Sequence, residues 1–277
     1  MQVKILVFSL LTLASFSVFA VDQQSTETLT MTAPPVTKTV PTPSFLLGLK
    51  SYDDSGRFGV LNDPKEKTFS GKQEAFLGYR FQSGWGGFVQ GTQYRYQYND
   101  STLNKWSAGD TSVSLVHPDI YNDGTLKILG LVRAYIPQTD RSISKNIRQY
   151  AYYSTQLYAL GKGRDLFNQA IPRWFVADRY APTDTTFYAE DRTVYTEKLA
   201  SWARWGIGNY LQYEKHSVSD DGYTDEIIPQ FDFIINSSFY FGPRLSLPVF
   251  SQNSVYDGPK NATWEQARAE LFFQVTL

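Results

Sequence analysis

Apolar and polar residues alternate along most of this chain with a period of two. At its end Ala269, Leu271, Phe273, Val275 and Leu277 interleave with Glu270, Phe272, Gln274 and Thr276. Upstream, Ile227, Pro229, Phe231, Phe233 and Ile235 interleave with Ile228, Gln230, Asp232, Ile234 and Asn236. Phe239, Phe241, Leu245 and Leu247 do the same with Tyr240, Arg244 and Ser246. Successive side chains of an extended strand point to opposite faces, so this pattern predicts strands that separate two environments. Beyond Ser44 no segment holds a helical period over three turns. The pattern predicts about twelve strands, at 45–52, 73–82, 87–98, 110–117, 125–137, 147–158, 170–180, 194–205, 207–216, 226–236, 238–248 and 264–277.

The connections alternate in length. Ser83-Gly84-Trp85-Gly86, Tyr121-Asn122-Asp123-Gly124, Gly161-Lys162-Gly163-Arg164 and Asn236-Ser237 carry tight-turn residues. Gly206-Ile207-Gly208 reads as a further break between two strands. Longer polar stretches separate these turns, at 53–72, 99–109, 181–193, 217–225 and 249–263. An even strand count, with short turns at one end and long loops at the other, is the plan of an all-β, transmembrane, antiparallel up-and-down barrel. Lipid cannot satisfy backbone N–H and C=O groups, so a spanning sheet must close.

The N-terminus sets the compartment. Lys4 leads into an apolar run from Ile5 to Phe19, and Val18-Phe19-Ala20 places small residues where a signal peptidase cuts. Residues 1–20 therefore read as a signal peptide. Residues 21–43, rich in Thr and Pro, read as a flexible leader that cannot bury enough apolar surface to order itself. The barrel is expected over 44–277, in the cell outer membrane after signal-directed export.

Composition narrows the chemistry. The 277 residues contain no cysteine, which removes disulfide frameworks and thiolate–metal sites. The balance of 26 basic and 27 acidic residues argues against a nucleic-acid partner. The chain holds 19 Tyr, 19 Phe and 6 Trp, yet its mean hydropathy is −0.34. Lipid-facing strands girdled by aromatics around a polar interior account for both. The signal sequence, the alternating strands and the final Leu271-Phe-Phe-Gln-Val-Thr-Leu277 resemble the porin-like outer-membrane β-barrel proteins of Gram-negative bacteria. That resemblance implies that the last strand is read by the barrel-assembly machinery, and that outer-membrane lipid surrounds the wall. The chain ends in Leu277, where an aromatic residue is more usual. Twelve-stranded porins for acidic sugars share the general plan, but no motif ties this chain to them.

Phasing each strand by its most apolar parity gives two faces. Leu77, Tyr79, Phe81, Phe88, Tyr94, Tyr96, Tyr98, Ile128, Val132, Trp174, Val176, Leu199, Trp205, Leu211 and Tyr213 are expected to face lipid. Among them Tyr79, Phe81, Tyr94, Tyr96, Tyr98, Trp174, Trp205 and Tyr213 are the girdle candidates. The opposite parity carries Lys50, Arg80, Arg95, Lys127, Arg133, Arg148, Arg173, Arg179, Lys198, Arg204, Arg244 and Arg268, against Glu74, Glu214, Asp232 and Glu270. Asp53-Asp54, Asp184, Glu190-Asp191, Asp220-Asp221 and Asp225-Glu226 are expected in loops. Rings of Arg and Lys in a narrow pore favour anions. The expectation is a channel for passive diffusion of small anionic solutes. The alternative is a closed structural or surface-interaction barrel whose loops, especially 53–72 and 181–193, bind a partner.

Catalytic patterns are sparse. His117 and His216 are the two histidines, and neither has a serine two residues on as a barrel phospholipase requires. His216 with Asp220, Asp221 and Asp225 is the one candidate for a protease-like rim constellation. No metal-binding, nucleotide or calcium-loop spacing is present, so no cofactor, metal or enzymatic activity is expected.

Overall fold

The computed structural model describes residues 43–60, 67–236, 238–253, 257–261 and 264–276. The signal peptide, the leader up to residue 42, and Leu277 lie outside the described residues. Fourteen strands follow in order: β1 (Ser44–Ser55), β2 (Lys67–Arg80), β3 (Gly86–Tyr98), β4 (Lys105–Ala108), β5 (Thr111–Asn122), β6 (Leu126–Ile136) and β7 (Arg148–Gly161). After them come β8 (Arg164–Val176), β9 (Thr185–Ala200), β10 (Ala203–His216), β11 (Gly222–Asn236), β12 (Phe239–Asn253), β13 (Asp257–Asn261) and β14 (Arg268–Thr276). Among the described residues one α-helix, α1 (Asp140–Ser144), sits between β6 and β7.

Twelve of these strands form a closed antiparallel barrel. Each pairs with its neighbour in sequence, and β1 pairs with β14 to shut the cylinder. β4 extends β3, and β13 extends β12, both at the end of the barrel that carries the long loops. Closure leaves no bare sheet edge, and each unpaired backbone group in hydrocarbon would cost several kcal/mol.

The short turns lie together at one end, with Ser44 and Thr276. At the β7–β8 turn Gly161, Lys162 and Gly163 all adopt positive φ, at 78°, 55° and 73°. Two-residue hairpins need that conformation because it matches the twist of the flanking strands. The expected break at Gly206-Ile207-Gly208 is not a turn. β10 runs through it unbroken, and the chain reverses instead at Ser201-Trp202. A Cβ on Gly206 would stand 2.7 Å from the Tyr195 carbonyl oxygen, so this glycine serves close strand approach.

Several strands run further into the loops than periodicity indicated. β2 starts at Lys67 and β9 at Thr185, so much of 53–72 and 181–193 is barrel wall. β11 likewise starts at Gly222. Asp53, Asp54, Glu190, Asp191, Asp225 and Glu226 are thus strand residues rather than loop residues; only Asp184 and Asp220-Asp221 stay in loops. The tightest contact in the wall is at Gly242, where a Cβ would meet the Phe231 carbonyl oxygen at 1.8 Å. Gly91, by contrast, has open space around it. Gly242→Ala is expected to destabilise the barrel by about 1–3 kcal/mol, as overpacking does. Gly91→Ala should leave stability within about 0.5 kcal/mol. Urea midpoints of heat-modifiable folded protein in detergent check both.

Candidate functional site

Register and alternation decide which residues reach the lumen. Arg133 on β6 pairs with Ser114 on β5 and Ala151 on β7, and its guanidinium turns inward. It donates to Ser114 Oγ at 2.8 Å, Tyr153 Oη at 3.2 Å and Gln90 Oε1 at 3.2 Å. Its partners are therefore neutral. The same guanidinium lies over the Phe88 and Tyr153 rings, at 5.6 and 4.9 Å. Arg173 on β8 sits between the rings of Tyr135 and Tyr188, at 5.3 and 5.4 Å. Arg192 on β9 pairs with Glu190 and donates to Tyr210 Oη. Lys72 on β2 binds Glu74 at 2.5 Å.

Side chains from opposite walls meet here. Lys50 on β1 interacts electrostatically with Glu74 and Lys72 beside it, and also with Arg133 of β6 and Arg192 of β9. Tyr52 likewise reaches the field of Arg192 and Arg244. Four strands lie between β1 and β9 by the shorter way around the ring and six by the longer, so these side chains converge across the axis.

On the other side of the lumen each arginine is ion-paired, and Arg268 also reaches Asp54 at 3.8 Å. Arg204 Nε donates to Asp232 at 2.7 Å, Arg244 pairs with Glu270 at 3.2 Å, and Arg268 pairs with Glu226 at 2.9 Å. Asp232 is fully buried. Ser246 Oγ donates to Glu226 at 2.8 Å and completes that pair. Towards the turn end, Arg80 and Lys127 lie close enough to repel one another, and Lys198 pairs in register with Arg204.

Three charged candidates lie elsewhere. Arg95 occupies the outward parity of β3, where its guanidinium stacks on Phe69 and Trp106 at 5.7 and 5.0 Å. Arg148 is exposed at the loop end of β7, opposite outward Val176. Arg179 lies in the β8–β9 loop. Conversely Phe88, Tyr94, Tyr96 and Tyr98 share the parity of Gln90 and face the lumen and its mouth. Tyr94 and Tyr96 stack in parallel at 6.2 Å, with Lys67 and Lys105 over Tyr96 at 4.6 and 5.4 Å. The phasing failed on β3 because its lumen face is the more aromatic one. Tyr79, Phe81, Trp174, Trp205 and Tyr213 do stand on the outer wall.

Lys72, Glu190 and Arg192 were missed because they lie in stretches read as loops. What hid the first half of β9 is Asp191: a charged residue at an outward position breaks the apolar alternation around it.

At the loop end, α1 is pinned over the wall. Thr139 caps it, and Asp110 Oδ1 accepts from the backbone N–H groups of Gln138 and Thr139 and from Ser142 Oγ. Asp184 takes Lys145 Nζ at 2.6 Å, Arg141 at 3.0 Å and the Ala181 N–H at 2.6 Å. The rim constellation around His216 does not assemble. Its Nδ1 contacts the Asp220 backbone carbonyl at 2.9 Å, Asp221 accepts from Tyr213, and Asp225 is held by Asn209.

Solved structures show a similar barrel. One is an outer-membrane channel from Pseudomonas putida F1, with a TM-score of 0.56 at 10% identity over 89% of this chain and 100% of that one. Another is the NanC porin, with a TM-score of 0.50 at 10% identity over 83% and 98%. The fold is the barrel of porin-like outer-membrane proteins. No protein-family model matches the chain, and no curated protein matches its sequence.

The loop anchor gives a pH test. Burial alone raises the Asp184 carboxyl, but its bonds to Lys145, Ala181 and Arg141 outweigh this and hold it at about 2, below its ordinary 3.8. A lowered folded value means that the anchor contributes fully above about pH 4 and is lost as pH falls towards 2. Hydrogen exchange of residues 139–147 should accelerate across that interval. Asp184→Asn should exchange fast at neutral pH and show no such step.

Proposed function

We propose that this chain is an outer-membrane channel for the passive diffusion of small anionic solutes. One observation carries the reading: the lumen's cations are unevenly matched. Around β10, β11, β12 and β14, each arginine has its own carboxylate. Among β1, β2, β6, β8 and β9, the cations Lys50, Lys72, Arg133, Arg173 and Arg192 cluster with the carboxylates Glu74 and Glu190, while Asp54 of β1 is engaged by Arg268 and Asp165 of β8 lies in the field of Arg204. Arg133 spends its hydrogen bonds on neutral oxygens, and Arg173 is held by tyrosine rings. Such a cluster draws a permeating anion along the axis and repels cations.

The tyrosines support this use. They hold the guanidinium groups in place through ring contacts and hydrogen bonds without neutralising them. In the membrane the short turns and Thr276 take the periplasmic end, and the long loops with α1 face outward. Outward Leu271, Phe273 and Val275 on β14 are then the residues offered to the barrel-assembly machinery.

Planar-bilayer recordings under a salt gradient test the proposal. The refolded protein should show discrete conductance steps and an anion-selective reversal potential; absence of conductance would establish a closed barrel instead. Removing one unit charge near the ion path, about 1 kcal/mol at ~4 Å in water, should lower the anion-to-cation permeability ratio roughly fivefold in Arg133→Ala. Arg95→Ala, on the outer face, should leave the ratio unchanged.

A further inference from the structure

One part of the outer wall is not built for lipid. On β10 the outward positions from the turn end upward are Trp205, Ile207, Asn209, Leu211 and Tyr213, so Asn209 stands halfway between two aromatic residues. On β9 Asp191 stands halfway between Tyr195 and Phe187. Those aromatics pair across strands, Tyr195 with Trp205 at 5.7 Å below and Phe187 with Tyr213 at 6.2 Å above. They mark the two interfaces of the bilayer, and the polar residues between them lie at the depth of the hydrocarbon.

The polar residues form one connected patch. Asn168 Nδ2 donates to both oxygens of Asp191 at 3.2 Å and to Thr193 Oγ1 at 2.8 Å. Thr193 pairs with Asn209 in register, and Asn209 Nδ2 donates to Asp225 Oδ1 at 2.6 Å. All five are partly exposed. Elsewhere the outward residues that alternate with lumen side chains include exposed Leu77, Val89, Leu115, Val132 and Leu271. Outward polar residues also stand on β2 and β3, where Gln73 pairs in register with Gln93 beside Arg95, so the hydrogen-bonded β8–β11 patch is one of two polar stretches of the wall.

We propose that this face, from β7 to β11, packs against the same face of a second copy of the chain. Hydrocarbon offers no hydrogen bonds, so a polar cluster at this depth is satisfied by protein. The patch carries both halves of the bonds it needs. Asn209 has a second amide N–H beyond the one given to Asp225, and both carboxylates have further lone pairs. A twofold axis through Thr193 and Asn209 brings the Asn209 amide of each copy to the carboxylates of the other, which is the self-complementarity an isologous contact requires. Ala170, Ala189 and Pro172, outward beside the patch, let two walls approach closely. At ~4.8 Å per strand and ~30 Å of height, this face offers roughly 700 Å², close to the ~800 Å² each partner gives to a stable interface. The inference needs only that the wall faces hydrocarbon, not that the lumen conducts.

Because the chain has no cysteine, single-cysteine variants report one position each. Ala189→Cys and Leu77→Cys protein is spin-labelled unfolded, refolded into lipid bilayers and measured by dipolar electron resonance. The expected result is a short distance between copies from Ala189 and a long one from Leu77, with a dimer mass by sedimentation equilibrium in density-matched detergent. The variant Asp191→Leu, Asn209→Leu, Asp225→Leu should remain heat-modifiable and conduct as before. Its dimer dissociation constant should rise on the order of tenfold or more. A monomer mass with no short distance at Ala189 overturns the proposal, as does a short distance from both positions. Cross-linking of Thr193→Cys in native membranes to a different protein and never to itself overturns it too. Loss of conductance with the dimer intact would strike the channel reading alone.

Discussion

The structure depends on the requirement that every backbone donor and acceptor in the membrane find a partner within the protein. The β1–β14 pairing meets it by joining the two ends of the sheet. Once that seam forms, register is fixed round the ring, and each side chain is committed to lipid or lumen with no intermediate choice. Sliding one strand by one residue would exchange its two faces. That is why a single phasing decision on β3 moves five residues at once.

Closure also concentrates charge. Inward side chains on facing walls are forced together, so Lys50, Arg133 and Arg192, from β1, β6 and β9, share one electrostatic environment. In an open sheet these residues would be far apart. The arrangement divides the lumen into a part where each arginine has a carboxylate and a part where Arg133 and Arg173 rest on tyrosines and an amide beside the Lys72–Glu74 and Arg192–Glu190 pairs. Guanidinium groups suit this role because they stay charged while stacking on rings and donating in a fixed plane.

Much of the architecture was legible from residue order. Alternation at 227–247 and 269–276, and the Gly-Lys-Gly turn at 161–163, located strands and hairpins because those features are local. The misreadings have a common cause: apolarity stood in for orientation. On β3 it sent Tyr94, Tyr96 and Tyr98 to lipid, although tyrosines line the lumen there and support its cations. On β9 it shortened the strand to begin at 194 rather than Thr185, because Asp191 occupies an outward position. Gly206 and Gly208 looked like a turn because glycine's use in close strand packing is not a local property.

By itself the sequence determined that this is a cysteine-free chain of antiparallel strands with a membrane-spanning wall, since period and turn chemistry each depend on neighbouring residues. It also limited the candidate chemistry to arginine, lysine, tyrosine and a few carboxylates. Only the tertiary structure decided which cations share the lumen, which have carboxylate partners, and that Arg95 and Arg148 lie outside. It alone gathered Asn168, Asp191, Thr193, Asn209 and Asp225 into one patch. The physical reason is that facing and height in a barrel follow from inter-strand register, which is set by hydrogen bonds between residues distant in the chain.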